Sequence, residues 1–113
     1  MDNVIRVKSG VEFTVISPGG FRILAALVKV ATIIGHDITI TSGTDGTHSG
    51  PADPHHFGLA YDIRIHDLPD PADILIDIIA ELGNINFYTF IEDANTVNAH
   101  IHCQVAKGTV YPA

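Results

Sequence analysis

The chain has 113 residues, 46% hydrophobic and 17% charged, which suits a globular domain with a buried core and excludes intrinsic disorder. Thirteen acidic against six basic residues give a net charge of -7. That balance argues against nucleic acid or an anionic membrane as the main partner, because both reward a basic surface.

The N-terminus, Met1-Asp2-Asn3-Val4-Ile5-Arg6, has no basic segment leading into a long apolar run, so it reads as carrying no signal peptide. β-Branched residues over 3–8 and 11–16, parted by Ser9-Gly10, predict a short hairpin or two extended pieces. Ser17-Pro18-Gly19-Gly20 then breaks the chain. From Phe21 to Ile34, residues Leu24, Leu27, Val28 and Ala31 recur at helical spacing, with Arg22 and Lys29 left for solvent and Gly35 as the stop. The longest apolar stretch, 23–34, is interrupted by Lys29 and is too short to span a bilayer.

Asp37-Ile38-Thr39-Ile40-Thr41 alternates as a strand. The run from Ser42 to Pro51 is dense in turn formers and in hydroxyl, carboxylate and imidazole groups, so it reads as a loop of the kind that carries function. A second helix is predicted from about Pro71 to Leu82, with Asp70 as N-cap and Gly83 as stop. Its apolar stripe is Ile74, Leu75, Ile78, Ile79 and Leu82; Asp73, Asp77 and Glu81 form a solvated face. Strands are predicted over 59–66, 85–92 and 98–106.

Two of these strands carry the chemistry. Over 59–66, Leu59, Tyr61, Ile63 and Ile65 fall in one row and Ala60, Asp62, Arg64 and His66 in the other. Near the end, His100 and His102 project from one side, with Ile101 and Cys103 on the other. Burying both apolar rows aligns the two His/Asp rows. That predicts a metal site on His55, Asp62 and His102, with His100 left free as a general base and acid or as an oxyanion donor. Two histidines and one aspartate suit a catalytic zinc with an open fourth position, where a water is acidified. Gly58 and Ala60 allow close backbone approach. His36 and His66 each end an element and read as ordinary surface or hydrogen-bonded histidines. Cys103, the sole cysteine, excludes an internal disulfide and reads as a small buried hydrophobe.

His55-x-x-Gly58-x-Ala60-x-Asp62 followed by His100-x-His102 resembles the signature of the LAS metallopeptidases, which include lysostaphin-type enzymes, zinc D-Ala-D-Ala carboxypeptidases and the hedgehog signalling domain. Thr41-Ser42-Gly43-x-Asp45-Gly46-x-His48 leading into it is similar to small phage-type members of the carboxypeptidase branch. The resemblance covers roughly 38–106. It implies an α+β fold with a compact antiparallel sheet and two main helices, forming one catalytic domain over 1–113. It further implies zinc as cofactor and a peptidoglycan stem peptide as substrate, cut as a carboxypeptidase or as a cell-wall endopeptidase. His55 takes the ligand role because it stands seven residues before Asp62, and His56 becomes a cleft neighbour. Ser42, Asp45, His48 and His56 are implied along the substrate cleft.

The chain departs from that pattern at three places. Ala99 stands where the branch has a catalytic glutamate, which leaves His100 or Glu92 for the role. Asp45 replaces an arginine that holds the substrate carboxylate, a task open to Arg64; Asp53 replaces a serine. These changes raise a competing reading, a zinc-stabilised binding domain without catalysis. A third is a phage structural module with an incidental histidine cluster. A phage-encoded lysis enzyme that is cytoplasmic before release to the host cell wall fits the absent leader, as does a cytoplasmic muropeptide-recycling enzyme.

Overall fold

A computed structural model describes residues 3–106. Five strands, β1 (Ile5–Val7), β2 (Ile38–Ser42), β3 (Ala60–Arg64), β4 (Phe87–Glu92) and β5 (His100–Val105), form one sheet in the order β1-β2-β3-β5-β4. Two helices, α1 (Pro18–Ile34) and α2 (Pro71–Leu82), pack together and share a core with the sheet. The result is a compact α+β fold with a mixed sheet. Among the described residues no helix is long and apolar enough to cross a membrane.

The sheet departs from the expected antiparallel one at a single edge. β1 pairs parallel to β2, Ile5 opposite Ile38 and Val7 opposite Ile40. The whole of α1 lies between them in sequence, and a parallel neighbour needs a crossover of that kind. Asp37 fastens the pairing, accepting from the Val4 N–H at 2.9 Å and from Arg6 Nε at 2.8 Å. Of the two alternatives for 3–8 and 11–16, a hairpin or two extended pieces, the hairpin does not form. Residues 11–16 instead lie against the loop after β2: Glu12 N–H donates to Asp45 Oδ1 and Thr14 N–H to Thr44 Oγ1, while Thr44 N–H donates to Glu12 O.

Helix α1 starts at Pro18, three residues before the predicted Phe21. Ser17 caps it, its hydroxyl accepting from the Gly20 N–H at 2.9 Å, and Pro18 suits the first turn. The glycines that read as a break are there for contact. A Cβ at Gly20 would overlap the Gly58 carbonyl oxygen, and one at Gly19 would overlap Val105. Helix α2 matches its predicted bounds, capped by Asp70, whose carboxylate accepts from the Asp73 N–H. One expectation for α2 fails, because Glu81 is more than part of a wet face. It pairs with Lys29 at 3.2 Å and Arg22 at 3.9 Å, joining the two helices.

The alternation along β3 and β5 sorts the two faces as predicted. Tyr61, Ile63, Ile101 and Cys103 are fully buried with Ile23, Leu27 and Val30 of α1 and Ile74 and Ile78 of α2. Each such side chain contributes roughly 1.5–3 kcal/mol on burial. The alternate residues Asp62, Arg64, His100 and His102 therefore emerge on the opposite face of the sheet.

Candidate metal centre

The β3–β5 ladder sets Asp62 directly opposite His102 and Arg64 opposite His100; the β4–β5 ladder adds Glu92 opposite His100 and Phe90 opposite His102. Two cross-strand rows result, Asp62-His102-Phe90 and Arg64-His100-Glu92. Asp62 Oδ1 lies 2.9 Å from His102 Nδ1 and 3.4 Å from His100 Nε2. His100 Nε2 is also 2.8 Å from Glu92 Oε1, and the Phe90 ring flanks His102 at 5.1 Å. A register shift between Ile40 and Ser42 brings Ser42 opposite Asp62 and turns the following loop toward the same spot.

That loop supplies the other half. A short 3-10 turn, Pro54–Phe57, carries His55; Asp53 caps it by accepting the His55 N–H at 2.9 Å, and Gly58 closes it with φ 68°. Only a residue tolerant of the left-handed region fits there, and a side chain would strike the Val15 carbonyl. Ser17 Oγ donates to Gly58 O at 2.8 Å, tying the turn to the start of α1. His55 thus arrives buried, with Nε2 3.4 Å from Asp62 Oδ1. His48 stacks flat on it, ring centres 3.7 Å apart.

Three imidazoles therefore surround one carboxylate oxygen, and the outer nitrogen of each meets an acceptor. His55 Nδ1 faces Gly43 O at 3.2 Å, His100 Nδ1 faces Asn98 O at 2.8 Å, and His102 Nε2 faces Gln104 Oε1 at 2.8 Å. Each outer nitrogen must carry a hydrogen and donate it. In the neutral ring the inner nitrogen then presents its lone pair to the cluster, as a metal ligand does. Burial disfavours charge on His102 and His100, yet hydrogen bonds to Asp62, Gln104 and Asn98, with the Asp62 and Glu92 charges, hold both above the ordinary histidine range. Burial likewise opposes ionisation of Asp62, but hydrogen bonds and charge from the histidines hold its carboxyl far below the usual carboxylate range.

Two sets of side chains each offer ligand atoms within 4.8 Å of one another: Asp62, Glu92, His100 and His102, and separately His48, His55 and Asp62. This buried His/Asp group can hold a metal ion. The three ligands expected from sequence straddle both sets and share Asp62. Both candidates for the catalytic role, His100 and Glu92, sit together against it.

The remaining expected residues divide. Ser42 Oγ meets His48 Nε2 at 3.0 Å, and that nitrogen also donates to Asp45 O at 2.8 Å. The Asp45 carboxylate is spent on the Glu12 and Gly43 N–H groups, which lower its pKa against the opposing effect of burial. It shapes the loop. His56 Nε2 binds Thr47 O, and His66 Nε2 binds Val97 O. Gln104 and the Gly43 carbonyl were missed. Gln104 was findable, since it follows His102 by two residues on the same strand face; a backbone carbonyl leaves no sequence signal.

Fold and cluster together define a compact α+β protein with a buried, histidine-rich centre suited to a cation. No family model, curated protein or solved structure matches the chain.

Proposed function

We propose that the centre binds one zinc ion through His55, Asp62 and His102, and that the protein hydrolyses a peptide bond in bacterial peptidoglycan, with the hedgehog/D-Ala-D-Ala peptidase-like architecture its sequence resembles. The observation that carries this reading is the convergence of three imidazoles on Asp62 Oδ1, each with its outer nitrogen on an acceptor. Imidazole and carboxylate donors suit zinc. When bound, zinc supplies Lewis acidity, lowering the pKa of a water to about 7 and polarising a carbonyl.

The chain's own residues then move the protons. Glu92 Oε1, 2.8 Å from His100 Nε2, accepts a proton from the attacking water and returns one to His100 once His100 has protonated the departing amine. His100, steered by Asn98 O, delivers a proton from Nε2 to the departing amine. Asp62 and His102 stay fixed by the strand ladder throughout.

The test is metal content together with digestion of peptidoglycan by the parent, His102→Ala and His100→Ala. We expect one zinc per chain in the parent, loss of zinc and activity in His102→Ala, and retained zinc with lost turnover in His100→Ala. Unchanged hydrolysis by His100→Ala sinks its catalytic role. No stoichiometric metal in the parent, even after zinc reconstitution, sinks the peptidase reading.

One observation favours a second reading, a non-catalytic zinc-stabilised domain. Asp62, Glu92, His100 and His102 place ligand atoms 2.8, 2.9, 3.4 and 4.0 Å apart, around the edge of about 3.3 Å that tetrahedral zinc requires. A closed four-ligand site would lose zinc on His100→Ala, so the same variant separates the two readings.

A further inference from the structure

A zinc on His55, Asp62 and His102 leaves His100 and Glu92 beside it, and these two are built as ligands as well. The ladder repeats one arrangement. His102 and His100 stand two residues apart on β5, and each meets a carboxylate from a neighbouring strand, Asp62 on β3 and Glu92 on β4. Asn98 O holds His100 Nδ1 at 2.8 Å and so turns Nε2 inward, as Gln104 does for His102 Nδ1. His100 Nε2 lies 2.8 Å from Glu92 Oε1 and 3.4 Å from Asp62 Oδ1. Those separations bracket the edge of about 3.3 Å between donors on a tetrahedral zinc.

We infer that Glu92 and His100, with Asp62 as a carboxylate shared with the first site, bind a second divalent cation, and that this cation inhibits. The inference rests on the zinc peptidase reading and adds its regulation. Imidazole and carboxylate donors select a first-row cation such as a second zinc. Two ions bridged by one carboxylate lie about 3.5–4 Å apart, a spacing common in two-metal sites. The two sites differ in access. The side chains of His55, His102 and Asp62 are 3%, 8% and 10% exposed, whereas that of Glu92 is 44% exposed. Asp62 and His100 also line an open groove of about 440 Å3, which admits the cation and a water to complete its shell. Lys8 and Arg64 line the same groove, offset in part by Asp93, and repel a cation, as does the first ion. The second site is therefore the weaker and the exchangeable one. When it fills, Glu92 Oε1 and His100 Nε2 are both occupied, and neither can take up or deliver a proton. Hydrolysis stops with the first zinc still in place.

The test titrates zinc into the metal-free full chain by calorimetry, with peptidoglycan hydrolysis followed over the same range. The expected result is two steps, the second weaker, with hydrolysis rising over the first and falling at least about 100-fold over the second, the scale of a lost proton transfer. Glu92→Gln and His100→Ala should keep the first step, which also reports that they fold. Each should weaken the second at least about 10-fold, the least expected when a ligand itself is lost. Magnesium, which prefers oxygen ligands and keeps its waters, should neither bind nor inhibit. A single equivalent however much zinc is added, as a closed four-ligand centre predicts, overturns the inference. So does a second step undiminished in both variants, which places that zinc elsewhere on the chain, or equal inhibition by magnesium. Two steps without hydrolysis keep the second site and remove the peptidase reading. Hydrolysis untouched by the second step keeps the peptidase and overturns the inhibition.

Discussion

The two halves of the centre are held by different means. Asp62, His100, His102 and Glu92 sit on adjacent strands, in register, and each is fixed by a backbone ladder backed by fully buried Tyr61, Ile63, Ile101 and Cys103. His55 and His48 hang from the loop between β2 and β3, positioned by one cap, left-handed turns at Gly46, His48, Gly50 and Gly58, and a few hydrogen bonds. A ladder shares its load among many contacts; the loop concentrates it in a few. The strand half should therefore keep its backbone register through single changes outside its ligands, whereas the loop half should not.

The largest expected effect is at the residue both halves share. Asp62→Ala removes the oxygen that three imidazoles face, and stoichiometric metal should be absent after dialysis. Next, Gly58→Ala combines a φ of 68° with overlap on the Val15 carbonyl, and should cost about 1–3 kcal/mol in urea unfolding. Metal affinity should fall with it, while the NMR signals of His100 and His102 stay near their parental positions. A shift of those two signals as large as that of His55 would show that the halves are not separately supported.

Gln104→Ala leaves every ligand in place but frees the His102 ring, and should weaken metal binding about 10-fold in a competition titration. A pH effect follows from the raised histidines and the depressed aspartate. The stabilisation from charged His100 and His102 is complete below about pH 6.5 and is lost as pH rises through their raised values. That from Asp62 is present above about pH 3.9 and is lost as pH falls through its depressed value. Metal-free protein should thus melt at a lower temperature at about pH 8 than at about pH 6. Zinc-loaded protein should show the reverse, since binding expels those protons. The smallest effect is far from the centre: Glu81→Ala should cost under about 1 kcal/mol, because its pairs with Lys29 and Arg22 are partly solvated.

The strand half was legible in the sequence for a simple reason. Period-two alternation puts Asp62 and Arg64 on one face and Tyr61 and Ile63 on the other, and no distant contact can change that. The meeting of Glu92 with His100 was not legible, because register between β4 and β5 is a pairing property that spacing along the chain does not encode. The parallel edge was missed for the same reason, with nearby β-branched runs suggesting a hairpin. Gly19 and Gly20 misled in another way. Propensity penalises glycine in a helix, but here its missing side chain lets α1 touch Gly58 and Val105. Arg22 and Lys29 were placed in solvent because nothing local announces Glu81 on another helix.

Cys103 follows His102 by one residue and points the other way, fully buried, its thiol pushed up to about 12 by burial and the nearby Asp62 charge. At neutral pH it presents almost no thiolate, the form that oxidants and thiophilic metals attack. The chain's sole sulfhydryl is thus redox-silent, and the centre's nitrogen and oxygen donors meet a cation without a soft competitor. Transfer from a reducing to an oxidising milieu should leave the centre unchanged.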